Sequence, residues 1–201
     1  MDADAVELRV LGCLIEKQRT TPDAYPLSLN ALRVACNQST NRDPVVDLDE
    51  QAIRNGLNRL TQRGWARLAS GPGSRAVKFR HLLGDALGLD EAELAVLAVL
   101  MLRGAQTPGE LKARTERLHA FASLTDLHET LDALIQRELV ARLARGPGQK
   151  EERYRQLLGG VEADGGAAEE HVGDDLEGRV RRLETEVASL REELETLRGH
   201  P

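Results

Sequence analysis

The chain contains the same helix and hairpin pattern twice, and this internal repeat restricts its possible folds more than any other feature. "WARLASGPGSRAVKFRHLLG" begins at Trp65, and "VARLARGPGQKEERYRQLLG" begins at Val140. Upstream, "ELRVLGCLIEK" from Glu7 aligns with "ELAVLAVLMLR" from Glu93, and "IRNGLNRLTQR" aligns with "LHETLDALIQR". Two copies with so long a period are too few for a solenoid. The repeat therefore predicts two similar units in tandem.

Each copy is predicted to contain three helices followed by two short strands. In the first copy, Ile53, Leu57 and Leu60 recur at helical spacing. In the second, Thr107 precedes a proline and stands three residues before Glu110, which is the pattern of a capping box. The Gly-Pro-Gly of each hairpin provides the backbone freedom that a turn needs. Three helices followed by a two-stranded ribbon are the parts of a winged helix.

The composition supports this fold class. Aromatic residues make up only 2% of the chain, so the core must be built from Leu, Val and Ala, which favours packed helices over a sheet sandwich. We therefore expect a mainly α-helical protein with small β-hairpins, of the α+β class. One winged-helix domain is predicted over residues 1–84 and a second over residues 85–160.

The remaining residues are predicted to form a linker and a coiled coil. Residues 161–175 are rich in Gly, Ala and acid, which is typical of a flexible linker. Residues 176–198 carry a heptad pattern with Val and Leu at position a and Leu at position d. This pattern, with attractive pairs between the g and e positions, favours a parallel homodimer. A single solvated helix, or one that folds back on the hairpins, remains the alternative. The predicted dimer contacts are Val180, Leu183, Val187, Leu190, Leu194 and Leu197.

The charge is distributed unevenly along the chain. The net charge is −6, but residues 1–160 hold 22 basic against 21 acidic residues, so the excess acid lies in residues 161–201. From Gln51 to Gly84 there are seven basic residues and no acidic one. A basic, acid-free segment that includes a helix and a hairpin is typical of a nucleic-acid contact.

Duplex DNA is the partner that this segment favours. Arginine can contact guanine edges, and asparagine or glutamine can contact adenine edges, in the major groove. Other cations of the segment are expected to contact phosphates or enter the minor groove. The alternative is an ordinary solvated helix face. The predicted DNA contacts are Arg54, Asn55, Asn58, Arg59, Gln62, Arg63, Arg67, Arg75, Lys78 and Arg80.

The second copy is a weaker candidate for DNA binding. Its third helix is expected to expose Asp126, His128, Glu129 and Asp132, and the carboxylates among them repel phosphates. We expect this copy to support packing or a protein partner instead. The polar loop "CNQSTNRDP" from Cys36 occurs only in the first copy. It is interpreted as a hydrogen-bonded corner, with a partner- or ligand-binding loop as the alternative.

Several other classes of protein are not favoured. No apolar run reaches the roughly 18 residues of a membrane span, and the acidic N-terminus lacks a signal-peptide pattern, so no membrane partner and a cytoplasmic location are expected. Cys13 and Cys36 stand among apolar neighbours and are interpreted as buried, reduced thiols. No phosphate-binding loop, metal-ligand spacing or catalytic motif is present, so neither an enzyme, a cofactor nor a metal is predicted.

Three segments resemble the YceH-like family of bacterial proteins. They are "YPLSLNALRVACNQSTNRDPV" from Tyr25, "VLMLRGAQTPGELKART" from Val99 and "GPGQKEERYRQLLG" from Gly146. The resemblance covers about residues 5–160, and the heptad tail is also similar to that of the family. It implies a tandem winged-helix fold, no known reaction and no ligand. No functional residue is assigned by it.

The sequence thus predicts a dimeric DNA-binding protein of the winged-helix class, with its helix-turn-helix elements in the first copy, acting as a transcriptional regulator. The alternative is a scaffold that uses winged helices for protein–protein interaction without binding DNA. Salt distinguishes them, because affinity for duplex DNA falls steeply as salt rises.

Overall fold

Two sets of three helices, each followed by a β-hairpin, succeed one another along the chain. The computed structural model describes residues 3–69, 77–145 and 151–159. The first copy contains α1 (Ala5–Thr20), β1 (Leu27–Ser28), α2 (Leu29–Cys36), α3 (Glu50–Gln62), β2 (Ala66–Leu68) and β3 (Lys78–His81), with a 3₁₀ turn at Pro22–Ala24. After a short helix α4 (Leu83–Leu87), the second copy contains α5 (Glu91–Arg103), α6 (Pro108–Thr115), α7 (Leu124–Gln136), β4 (Val140–Leu143) and β5 (Arg153–Gln156).

The predicted mixture of helices and small antiparallel sheets is confirmed by these elements. The predicted linker 161–175 and coiled-coil helix 176–198 lie outside the described residues. So do the six predicted dimer contacts from Val180 to Leu197.

Side-chain caps explain where the helices begin. In a capping box, the cap side chain accepts from the third helical N–H, and the third side chain accepts from the cap N–H. The box predicted at Thr107 and Glu110 is confirmed at the start of α6. Asp4 and Asp90 form the same motif before α1 and α5, with Glu7 and Glu93 as the third residues. The two copies therefore begin with the same local structure.

The strands form two small antiparallel sheets. In the first copy the order is β1-β3-β2, so β3 is the central strand. In the second copy β4 pairs with β5, and a single bridge between Gln106 and Tyr154 stands where β1 would be. Each hairpin thus has a third segment of chain along the outer edge of its second strand.

The two copies share one hydrophobic core. Buried leucines such as Leu11 and Leu14 of α1 belong to the same cluster as Leu97 and Leu100 of α5. The helices approach so closely at Gly12 that a Cβ there would lie 2.9 Å from Cγ of Leu102. The described residues form one compact unit, and the division into domains at residue 84 stays a prediction.

The polar loop between α2 and α3 forms a corner against α1 and α5. Arg42 is only 6% exposed, and its guanidinium donates to both carboxylate oxygens of Glu16 and to the carbonyl of Ala35. The N–H of Asp43 donates to the carbonyl of Leu102 at 2.9 Å. A buried guanidinium needs such partners because an unpaired buried charge is costly. The hydrogen-bonded corner expected for this loop is confirmed.

Three further observations concern the remaining expectations. Cys13 and Cys36 are both buried free thiols, as predicted. None of the described helices combines the length and hydrophobicity that a membrane span requires. Within residues 3–69, 77–145 and 151–159, no group of three or more His, Cys, Asp and Glu side chains is placed to hold a metal ion.

Candidate nucleic-acid interface

α3 turns an apolar stripe inward and leaves a polar face outside. Ile53, Leu57 and Leu60 are buried, as their spacing predicts. Arg54 and Asn58 are exposed on the outer face. The other two predicted base contacts of the helix, Asn55 and Gln62, are exposed as well. The outer face therefore presents one guanidinium and three amides to solvent.

Two arginines at the C-terminal end of α3 pair with acids at the N-terminal end of α1. Arg59 donates to Asp4 at 2.5 Å and to Glu7 at 3.2 Å, and its side chain is 41% exposed. Arg63 donates to the other oxygen of Glu7 at 2.9 Å, and its side chain is 22% exposed. The Glu7 side chain is only 1% exposed. These two cations are thus engaged within the fold.

The repeat reproduces one of these ion pairs. Arg137 follows α7 as Arg63 follows α3, and it donates to the carboxylate of Glu93 at 2.9 Å. Glu93 occupies the same capping-box position in α5 that Glu7 occupies in α1. A pair that recurs in both copies fastens the end of the third helix to the start of the first. This recurrence gives Arg63 a structural role.

The acid-free stretch of sequence therefore has acids beside it in space. Asp4 and Glu7 approach it from α1, and Glu50 pairs with Arg54 at 2.7 Å across one helical turn. The Arg54 pair is exposed, and such pairs contribute about 0.3–0.5 kcal/mol. Arg54 can therefore exchange its partner at little cost, whereas Arg63 cannot.

The hairpin of the first copy places two arginines directly opposite each other. Arg67 of β2 faces Arg80 of β3 in the antiparallel register. Lys78 is two residues from Arg80 and so lies on the same face of the sheet. Neither Arg67 nor Arg80 has an ion-pair partner among the described residues, and Nε of Arg80 is buried without an acceptor. Like charges directly opposite on neighbouring strands destabilise a sheet.

The second hairpin differs because one extra residue stands before its "ARL" triplet. Gly64 follows α3 and Glu138 follows α7. Both residues have a positive φ, at 75° and 56° respectively. Counted from these two residues, the two hairpins have the same strand register. The residue equivalent to Arg67 is therefore Ala141, which faces Arg155, and not Arg142.

A shift of one residue turns a strand side chain to the other face. Arg142 accordingly stands opposite Tyr154, with its guanidinium carbon 5.8 Å from the ring centre. Its charge is met by Asp132 at 3.7 Å and Glu152 at 3.5 Å. The second hairpin therefore lacks the facing arginines of the first.

The last residue of β3 is a buried histidine, His81. His81 contacts the side chain of Gln18, and its backbone N–H donates to the hydroxyl of Tyr25 at 2.9 Å. Burial, and then the positive charges of Arg80 and Arg19, lower the pKa of His81 to about 4. The ring is therefore neutral near pH 7 and adds no charge to the basic face.

The predicted contacts thus divide into three groups. Arg54 and the three amide side chains of α3 are exposed, while Arg59 and Arg63 are paired within the fold. Arg67, Lys78 and Arg80 of the strands share one face of the sheet. Arg75 lies outside the described residues. Sequence reasoning missed Asp4 and Glu7, although the capping-box pattern at the start of each copy is a signal that could have identified them.

Comparisons with known proteins agree on one family. Residues 3–149 match the family model described as "Protein of unknown function, DUF480". The chain is similar to UPF0502 protein YceH of Salmonella newport, with 45% identity over 98% of this chain and 96% of that protein. It is 46% identical to UPF0502 protein YceH of Escherichia fergusonii, over 98% and 96%. A UPF0502 protein of Pelobacter propionicus is 50% identical over 96% and 91%.

Proposed function

Since the chain belongs to the DUF480 (UPF0502) family of bacterial proteins, which is defined without a function, we propose on physical grounds that it binds duplex DNA and regulates transcription. In this proposal each copy is a winged helix, with β2 and β3 as the wing of the first. The outer face of α3 enters the major groove, and the wing contacts the sugar-phosphate backbone.

The observation that carries the proposal is the pairing of Arg67 with Arg80. Side chains directly opposite on antiparallel strands have Cβ atoms about 4.5–5.5 Å apart, so the two guanidiniums repel each other. A phosphate group between them would replace that repulsion with charge-assisted hydrogen bonds to both. Lys78 on the same face adds a third positive charge. The arrangement is unfavourable in the free protein and favourable beside a polyanion.

The face of α3 supplies the groups for base contacts. Arg54 suits guanine, and Asn55, Asn58 and Gln62 suit adenine. Asn55 accepts from Gln51 at 2.9 Å on the surface, and Arg54 pairs with Glu50 on the surface, so both contacts can be exchanged for base edges. These residues would give sequence preference, while the wing cations would give affinity.

Fluorescence anisotropy with a labelled duplex at several salt concentrations tests the proposal. Arg67→Gln with Arg80→Gln should lower the affinity and reduce the slope of log K against log salt by about 0.9 for each phosphate that the wing no longer neutralises. Arg142→Gln is the matched control, because Asp132 and Glu152 already meet its charge. An unchanged salt slope in the double variant would contradict the proposed wing contact. No duplex binding by the unaltered chain at low salt would favour the protein-interaction scaffold.

Arg59 is a poor choice for a charge reversal. Glutamate at that position would stand beside Asp4 and Glu7, so a loss of binding would report damage to the fold. The proposed homodimer through residues 176–198 is tested with the same anisotropy samples, by measuring how many chains bind each duplex. Two chains per duplex are expected, and one chain per duplex would contradict the dimer.

A further inference from the structure

A cavity of about 190 Å³ lies between the two copies. Its walls come from the C-terminal half of α1, the polar corner before α3, the end of α5, and α6 with the residues that follow it. The cavity is distinct from the basic face of α3 and β2–β3, since none of its lining residues belongs to those elements. It is therefore a separate concave site on the molecule.

Three arginines line this cavity. Arg103 ends α5 and donates to the amide oxygen of Asn41. Arg114 of α6 is 3.4 Å from Glu110 one turn earlier in its helix. Arg117 has no ion pair or hydrogen bond within the described parts of the chain. The positive charge at the lining is thus only weakly compensated by neighbouring side chains.

The acid on the lining does not supply the missing compensation. Glu16 receives two hydrogen bonds from the buried guanidinium of Arg42, at 2.6 and 3.1 Å. Lys17 also lies 3.6 Å from the same carboxylate. The charge of Glu16 is therefore already matched, and the arginines of the cavity keep a net positive charge.

Arg103 is affected both by burial and by the neighbouring positive charges. Burial, and then the positive charges of Arg114 and Arg42, lower the pKa of this guanidinium from its ordinary value. Guanidinium groups with few counter-charges in a partly enclosed site are the usual recognition elements for an oxyanion. A bound anion would remove the repulsion that the free protein carries.

The rest of the lining restricts the ligand by size and polarity. Val99 and Leu102 are buried core residues, and together with Leu118 they give the cavity an apolar wall. A cavity of about 150 Å³ suffices for benzene, whereas sites for drug-sized ligands are about 300–1,000 Å³. The cavity therefore suits a short apolar body that carries one strongly anionic group.

We propose that this cavity is a binding site for a small phosphate monoester, with Arg103, Arg114 and Arg117 holding the phosphate and the apolar wall contacting the organic part. A phosphate dianion matches several guanidiniums better than a carboxylate does, because it offers more acceptor oxygens and more charge. The site does not depend on DNA binding and can be tested without DNA.

Isothermal titration calorimetry of the full chain with phenyl phosphate is the direct test. Phenyl phosphate should bind more tightly than inorganic phosphate or benzoate, since each of these lacks one half of the recognised structure. Arg114→Gln with Arg117→Gln should weaken binding by about tenfold for each arginine removed. Arg33→Gln on α2 is the matched control, because Arg33 lies outside the cavity lining and its substitution should leave the affinity unchanged.

A second measurement on the unaltered chain keeps the test independent of variant folding. In an NMR titration with phenyl phosphate, the side-chain Nε–Hε resonances of Arg103, Arg114 and Arg117 should shift, while those of Arg67 and Arg80 should not. Absence of both heat and resonance shifts at millimolar phenyl phosphate would overturn the proposal, as would tighter binding of benzoate. Weaker duplex binding by the double variant, without any binding of phenyl phosphate, would instead assign the cavity to DNA.

Discussion

Replacing Glu7 with glutamine is expected to lower the free energy of unfolding by about 2–3 kcal/mol. The Glu7 carboxylate is 1% exposed and receives hydrogen bonds from Arg59 and Arg63, at 3.2 and 2.9 Å. Glutamine keeps an oxygen that can accept from the N–H of Asp4, so the capping box can persist. The substitution therefore removes the negative charge while it preserves the local helix start.

The magnitude follows from the exposure of the partners. Removing one member of a fully buried ion pair costs about 3–5 kcal/mol, because the remaining charge is left unsolvated. Here Arg63 is 22% exposed and Arg59 is 41% exposed, so water compensates part of that loss. Hydrogen bonds to charged groups contribute about 1.5–3 kcal/mol each when well shielded. The more exposed Arg59 should contribute less than Arg63.

Urea unfolding with an unchanged m value is the suitable assay, combined with a double-mutant cycle. Glu7→Gln, Arg63→Gln and the double variant isolate the coupling between the two side chains. The repeat offers a matched control in Glu93→Gln, which should cost less. Arg137 keeps the carbonyls of Leu87 and Gly88 as acceptors after Glu93 is neutralised, so its charge stays partnered.

Two results would refute this reasoning. One is a cost for Glu7→Gln below about 1 kcal/mol, because a carboxylate that buried cannot lose its charge so cheaply if it holds two guanidiniums. The other is a coupling energy between Glu7 and Arg63 below about 0.5 kcal/mol, which is the range of independent sites.

Two further substitutions test the core of the first copy. His81 is neutral in the fold with a pKa lowered by burial to about 4, while the unfolded chain titrates near 6.5, so the free energy of unfolding should fall by about 3 kcal/mol as the pH drops from 6.5 to 4. His81→Gln, which matches Gln156 of the second copy, should remove that part of the slope, and parallel pH profiles in urea unfolding would contradict it. Gly12→Ala should cost about 1–2 kcal/mol, because its Cβ would meet Cγ of Leu102 at 2.9 Å. Gly109→Ala, with open space around it, should not destabilise, and equal unfolding midpoints for the two alanine variants would refute the close packing of α1 on α5.

The order of elements was predictable from the sequence because it depends on local signals. Apolar spacing in Ile53, Leu57 and Leu60 and the capping box at Thr107 are properties of a few consecutive residues. A bridge such as that between Gln106 and Tyr154 is not predictable from these signals, since it joins residues 48 positions apart and has no turn of its own.

The charge balance of the candidate interface was not predictable for a related reason. Arg59 and Arg63 stand in a stretch without acids, but their partners Asp4 and Glu7 are more than 50 positions away in the chain. Only the packing of α1 on α3, where Gly56 admits Val6 closely, brings these groups together. Counting charges along a segment therefore overstates the free positive charge on α3. The facing arginines Arg67 and Arg80 of the strands differ, because neither has an acidic partner within the described residues.

The two hairpins differ in their surface charge mainly because the second copy has one extra residue before its "ARL" triplet, and less because of their composition. Both hairpins contain "ARL", and both third helices end in an arginine that binds the capping-box glutamate. The extra residue before the second "ARL" keeps the strand register but moves the triplet by one position, so that Arg142 turns toward α7 and pairs with Asp132. In the first copy the arginine of the triplet, Arg67, lies opposite Arg80 on the outer face. The first hairpin thus keeps two facing arginines, whereas the charge of Arg142 in the second is met by neighbouring acids. This shift is the physical basis for assigning the proposed DNA contact to the first copy alone.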